Sequence, residues 1–342
     1  MEEVQLRLGT RRIRPFSESA KVRNRCVSRP LQRAVVDFAA DVPFAQAMDK
    51  LVEHYGVLLS ESAIRRTTLR HAEKMYESTE YSQQWPQSPG AEYIIAETDG
   101  GMVPIMEPDT EQADQRKGKV LLWKEAKISL AHAQGNQSPT YGGTLQGDAQ
   151  QSGEILFDCA SQAGFGSNTQ LHAVGDGARW IANQVDEKFG ENGRYLIDFW
   201  HVCEYLAAAS KAIYPSTEEE AKSWVEKQKE CLKNNQVDTV LSELIPHCEP
   251  LSIDDAQATV RVCYRYLNQR QDQLFYQEAM SRDLPIGSGE IESAHRYLVQ
   301  QRLKRSGAWW RIGNAEHMLS LRIHRANHLW QDYWEEQSKL AA

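Results

Sequence analysis

Four acidic residues stand where an open sheet would present them to a ligand. Asp99 closes the apolar run EYIIAET and precedes Gly100 and Gly101, Asp176 closes LHAVG ahead of Gly177, and Asp198 closes GRYLI and opens a helical pattern with His201 one turn on. Glu292 falls in the first turn of a later helical pattern, on a face shared with His295, Arg296 and Val299. Acids at the carboxyl ends of strands lie where open sheets with parallel strands gather their ligands. Oxygen donors of this kind suit hard divalent ions, Mg²⁺ or Mn²⁺; Mg²⁺ keeps several waters and binds through one or two carboxylates plus a substrate phosphate. A pair of such ions can activate an attacking oxygen and stabilise a leaving one in an in-line displacement at phosphorus, with no cysteine and no covalent intermediate. Each acid also has a plainer account: an Asp before Gly is an ordinary turn residue, and Asp198 is an ordinary helix cap. Glu290 competes with Glu292, and either carboxylate favours the positive end of a helix.

The elements that must position these acids read as an α/β chain. The runs EYIIAET and GMVPIM, joined at a turn expected at Gly100-Gly101, and then KVLLWKEAKISLAHA with apolar residues at 120, 122, 126, 128 and 130, predict an antiparallel meander. Strand QLHAVGD, helix ARWIANQVDEKF, strand GRYLIDF and helix WHVCEYLAAASKAIY follow. A meander followed by strand, helix, strand, helix is the order of an RNase H-like core. That core is expected over residues 91–213, interrupted by an all-helical insertion over 214–280. It is completed by 281–342, where Ser288 caps an acid-bearing helix running to about Arg305.

Ahead of the core, residues 1–82 predict helices LQRAVVDFAA, PFAQAMDKLVEHYG and SESAIRRTTLRHAEKMY, with Pro43 starting the second, Gly56 closing it and Ser60 capping the third. The short link between the last two matches a helix-turn-helix whose Arg65, Arg66 and Arg70 reach a major groove. A helical hairpin with solvated arginines fits the same pattern. QQWPQSPG (83–90) reads as a linker, so the N-terminal helices are expected to be separable from a core that folds without them.

Composition narrows the class. The chain has 342 residues, 41% hydrophobic and 25% charged, with no apolar run of the roughly 20 residues that cross a bilayer. The N-terminus has no apolar signal segment, so a cytoplasmic protein without a membrane partner is expected. Six scattered cysteines without a CxxC pair predict reduced thiols and no zinc ribbon. The net charge of −8 argues against nucleic acid when read as one number, yet residues 1–33 hold nine Lys/Arg against three acids and 293–325 hold seven against one. Positive charge therefore gathers at the two ends, where Arg296, Arg302, Lys304 and Arg305 are further candidates to grip DNA phosphates. Trp309 and Trp310 follow as stacking residues or as core.

The runs ETDGGMVP (97–104), WKEAK (123–127), HAVGDGARWI (172–181), DFWHVCEYLAAA (198–209) and IGSGEIESAHRYLVQQRLKRSGAWW (286–310) resemble insertion-sequence transposases of the ISKra type, relatives of the Mutator-like DDE enzymes. In order and character the resemblance spans most of residues 30–335. It implies Asp99, Asp176 and Glu292 as the catalytic, metal-binding acids, with Asp198 and His201 as a supporting D-x-x-H pair. It also implies Mg²⁺ or Mn²⁺ as cofactor, transposon ends and target DNA as partners, and a homo-oligomer when ends are paired. Two other readings compete: a catalytically silent DNA-binding descendant of such an enzyme, and a cellular RNase H-like nuclease.

Overall fold

The computed structural model describes residues 6–8, 11–13, 15, 27–109 and 118–339. Most of the basic stretch 1–33, and Cys26, lie outside the described residues. At the centre is a five-stranded mixed sheet of β1 (Tyr93–Pro108), β2 (Lys119–Ala133), β3 (Thr140–Thr144), β4 (Gln170–Gly175) and β5 (Gly193–Ile197), ordered β3-β2-β1-β4-β5. The first three strands run antiparallel, and β4 and β5 add parallel to β1. A mixed α/β fold is what the alternating and continuous apolar runs require, since β4 and β5 are covered on both faces and carry almost no polar side chain.

The meander differs from the sequence expectation at one point. Gly100 and Gly101 are not a turn: β1 passes straight through them, so EYIIAET and GMVPIM form a single 16-residue strand and the third strand is Thr140–Thr144. Neither glycine has a positive φ. What both positions need is room, because a Cβ on Gly100 would overlap the Glu125 carboxylate and one on Gly101 would lie 2.8 Å from His295 Nδ1. The glycines let two side chains approach the backbone beside Asp99.

One face of the sheet packs on α4 (Ala149–Gln162), α5 (Arg179–Phe189) and α6 (Phe199–Ile213), around Ile155, Phe189, Leu196 and Phe199. The same core continues without a break into α7 (Glu218–Lys233), α8 (Val237–Leu244), α9 (Thr259–Asn268) and α10 (Tyr276–Ser281), through Trp224, Leu232, Val240 and Leu267. The opposite face, with Val103, Ile105, Ala126, Ile128 and Leu130, packs on α11 (Gly289–Ala294), α12 (Gln301–Leu303) and α13 (Ile312–Ala326). Between α11 and α12 the chain widens into a π turn, His295–Gln300.

Helices α1 (Arg29–Asp41), α2 (Phe44–Tyr55) and α3 (Glu61–Glu77) form the expected hairpin, with Gly56 left-handed at φ 64° after α2 and Ser60 Oγ accepting from Ala63 N ahead of α3. They are not free of the core. Val36, Ala40, Ala72 and Met75 pack with Leu321 of α13 and with Tyr333 and Trp334 of α14 (Trp330–Lys339). The buried His71 places Nδ1 2.6 Å from Tyr333 Oη. The expectation that residues 1–76 come away from an intact core does not survive this packing, since their loss would bare a continuous apolar seam. Among the described residues no helix is long and apolar enough to cross a membrane, and Cys159, Cys203, Cys231, Cys248 and Cys263 are free.

Candidate active site

The parallel register sets the acids in a row. Glu97 of β1 lies beside Val174 of β4, and Gly175 lies beside Ile197 of β5. Continuing each register outward brings Asp99, Asp176 and Asp198 to one edge. Asp99 and Glu292 then line a cleft of about 240 Å³ together with Gly101, His295, Arg296, Val299, Gln300 and Lys304. Asp176 is exposed at its mouth and close enough to Asp99 to act on its proton affinity. Burial pushes the Asp99 carboxyl above its ordinary range; His295 and the Gly100 N–H, 2.7 Å away, oppose this, and the Asp176 and Glu125 carboxylates add to it.

Like charges pressed together in this way are what a divalent cation relieves, and all three donors are hard oxygens. Among the described residues no three His, Cys, Asp or Glu side chains close into a ready-made metal cage. Two-ion phosphoryl chemistry does not require one, because the substrate's phosphate and waters complete the coordination. In that sense Asp99, Asp176 and Glu292 fit Mg²⁺ or Mn²⁺.

Each acid is held by a distinct device. The Asp176 loop turns at Gly177, φ 85°, whose N–H donates to Tyr195 Oη at 2.9 Å, and Tyr266 Oη donates to the Asp176 carbonyl at 2.9 Å. Asp198 serves differently. It is buried and accepts from Trp200 N (2.6 Å), His201 N (3.2 Å), Ser288 N (2.6 Å) and Ser288 Oγ (2.6 Å). Its lone pairs are spent on joining α6 to the Gly287-Ser288-Gly289 turn. Ser288 is therefore not the cap the sequence suggested, since its hydroxyl donates to Asp198 instead of accepting from α11. His201 stands half-exposed beside Glu204, Tyr205 and Tyr266, near the loop of Asp176.

Asp198→Ala is expected to cost roughly 2–4 kcal/mol, because buried donors lose a charged acceptor, and to lower activity by misplacing Glu292. A calorimetric titration of Mn²⁺ checks the role: unchanged metal affinity marks Asp198 as a positioning residue, whereas lost affinity would make it a ligand.

Two contributors escaped the sequence reading. Glu97, on the same face of β1 as Asp99, is 2% exposed and accepts from Ile291 N at 2.7 Å, so the cap of the acid-bearing helix comes from a strand far away in sequence. Its signal was an acid inside an apolar run, two residues before another acid. His295, noted only as sharing a face with Glu292, is buried, with Nε2 3.1 Å from the Asp99 carbonyl oxygen and 3.6 Å from its Oδ2. Glu290 points elsewhere, with Oε2 3.2 Å from His132 Nε2, which separates it from Glu292.

Burial pushes the Glu97 carboxyl up to about 8; the Ile291 N–H opposes the rise, and Glu290 and Asp198 add to it. The folded value lies above the ordinary 4.5, so the folded chain keeps a proton that the unfolded chain releases. Stability from this group is complete below about pH 4.5 and declines as pH rises toward about 8. Urea midpoints of the wild type should fall across that window, while Glu97→Gln should give a flatter profile; parallel profiles would contradict the assignment.

The basic residues divide. Arg296 and Lys304 line the acid cleft, and Arg305 is exposed next to it. Arg65, Arg66 and Arg70 are exposed on α3 and, with Lys119, Trp309 and Arg311, line a second cleft of about 1090 Å³. Arg302, expected on the DNA-facing surface, is a correction: it is 3% exposed, donates from Nε to the Ala39 carbonyl at 3.0 Å and lies between the Phe44 and Trp310 rings. Burial, with help from Arg322 and Arg305, pulls its guanidinium down to about 10. A side chain so placed ties α1 to the core and offers nothing to a phosphate. Of the two tryptophans Trp310 is core and Trp309 is exposed, with Lys119 Nζ 4.5 Å over its ring.

No protein-family model and no curated protein sequence matches this chain.

Proposed function

We propose that this chain is a DDE-type transposase with an RNase H-like core, which cleaves DNA at the ends of an insertion sequence and transfers the strand with Mg²⁺ or Mn²⁺. One observation carries the reading: Asp99 and Glu292 line one cleft, and Asp176 stands close enough to Asp99 to raise its proton affinity. The strand order β3-β2-β1-β4-β5, antiparallel and then parallel, supports the RNase H-like core. In this reading the three carboxylates hold the ions, which lower the barrier to attack on the scissile phosphate. His295 and the Gly100 N–H fix the Asp99 carboxylate, and Glu97 and Asp198 fix the helix that carries Glu292. Arg296 and Lys304 offset the negative charge that would otherwise repel the DNA backbone, and Arg65, Arg66 and Arg70 bind the duplex further away.

The test is incubation of the purified full chain with duplex DNA spanning the genomic flanks of its reading frame. Nicks at paired terminal repeats with Mg²⁺ or Mn²⁺, abolished by EDTA, are expected. Tight binding without cleavage would replace this reading with a silent DNA-binding protein, and preferential cutting of RNA in a hybrid would replace it with a cellular nuclease.

A further inference from the structure

Beyond Pro104 the β1–β2 hairpin leaves the body of the sheet, and its outer strand is bare. β3 engages β2 only over Lys127–Ala131, and among the described residues no strand pairs with the outer side of Lys119–Ala126. On that stretch Val120, Leu121, Leu122 and Trp123 are all exposed in succession, Leu121 at 51% and Trp123 at 55%. A regular edge with unpaired backbone groups and four consecutive large apolar residues is what proteins ordinarily shield with charge, proline or a bulge. None of these interrupts Val120–Trp123.

We propose that a second copy of this chain covers this edge, through antiparallel pairing of β2 with β2 about a two-fold axis at Leu122. The charges choose both the occupant and the register. Centred on Leu122, the pairing sets Lys119 of each copy opposite Glu125 of the other, Leu121 opposite Trp123, and Leu122 opposite itself. Each pair shares a face, as strand alternation requires. A shift of the centre to Trp123 would set Lys119 opposite Lys127 and Leu121 opposite Glu125, placing like charges together and an acid on an apolar residue. A shift to Leu121 would leave Glu125 without its lysine.

Both charges are accessible for this exchange. Lys119 is exposed and rests its ammonium over Trp309, and Glu125 is half-exposed and paired with Lys127 at 3.0 Å. The resulting interface is self-complementary, joining two five-stranded sheets into one continuous sheet of closed two-fold symmetry. It does not depend on the chemistry at Asp99, so its test reads mass and not cleavage.

Sedimentation velocity of the full chain over a wide concentration range should show a reversible dimer. Leu122→Lys should leave a monomer. Lys119→Glu and Glu125→Lys should each weaken association by about tenfold or more, and the double variant Lys119→Glu with Glu125→Lys should restore it. Circular dichroism and melting of each variant separate lost pairing from lost folding, and recovery in the double swap is an outcome that misfolding cannot produce. A wild type that stays monomeric throughout overturns the proposal. So does a dimer indifferent to these substitutions, which uses another face. A monomer whose Trp123 fluorescence responds to duplex DNA overturns it in favour of a nucleic-acid surface.

Discussion

Asp99→Asn, Asp176→Asn and Glu292→Gln are each expected to lower Mg²⁺-dependent cleavage of end-bearing DNA by at least about 10³-fold, roughly 4 kcal/mol of transition-state stabilisation. The amides keep size and shape while removing the charge that holds the ions. Because burial and the neighbouring Asp176 already press on Asp99, Asp99→Asn should relieve repulsion and leave the protein no less stable while it loses activity. Opposite signs for stability and rate are the mark of a site whose charges are arranged for a cation and not for the fold. Glu290→Gln is the control, since its carboxylate faces His132, and it should cost less than about tenfold. Full metal-dependent cleavage by any of the three amide variants would remove that residue from the site, and a Glu290→Gln loss equal to that of Glu292→Gln would reverse the choice between them.

The second large effect is on stability. Arg322 of α13 is 2% exposed and donates to the carbonyls of Leu298, Tyr297 and Ala40 and to the Asp41 carboxylate. One guanidinium thus binds the π turn behind Glu292, the end of α1 and α13 itself. Replacing it with methionine fills part of the volume but strands several buried carbonyls. A loss of about 3–5 kcal/mol is expected, read as a fall in melting temperature of roughly 5–10 °C. Arg322→Lys should recover little, because one ammonium cannot span acceptors on three elements. A methionine variant that melts with the wild type would show that these carbonyls find other partners.

The acids were legible in the sequence because each ends or interrupts an apolar strand run, a pattern that local periodicity exposes. The helical hairpin was legible from Gly56 and Ser60, whose roles are set within a few residues of themselves. What was not legible depends on partners distant in the chain. Gly100-Gly101 has the same signature whether the backbone turns or whether Glu125 and His295 need space beside it, and only the fold brings those two side chains near. Arg302 belongs to the run QRLKRSG, which reads as a solvated basic face; its burial is decided by the Ala39 carbonyl and Phe44 of the N-terminal helices. The excess of Lys and Arg over 293–325 overstated the charge free for DNA, since Arg302 and Arg322 are internal and Arg325 pairs with Asp37 and Asp41. Ser288 looked like a cap because nothing local reveals that Asp198 takes its hydroxyl.

That shared carboxylate reaches beyond the site. Phe199 N also donates to the Ile286 carbonyl at 2.8 Å, so the long helical excursion leaves the sheet and returns to it at a single clasp. Its two ends are fastened to each other before either is fastened to anything else. Lengthening the distal loops of such an excursion costs only a slowly growing closure entropy, and the clasp does not transmit the change to Glu292. The spacing between the second and third acids along the chain is therefore free to drift while their spacing in space is kept, and the excursion is a place where descendants of this sequence can gain or lose whole helices without retuning the chemistry.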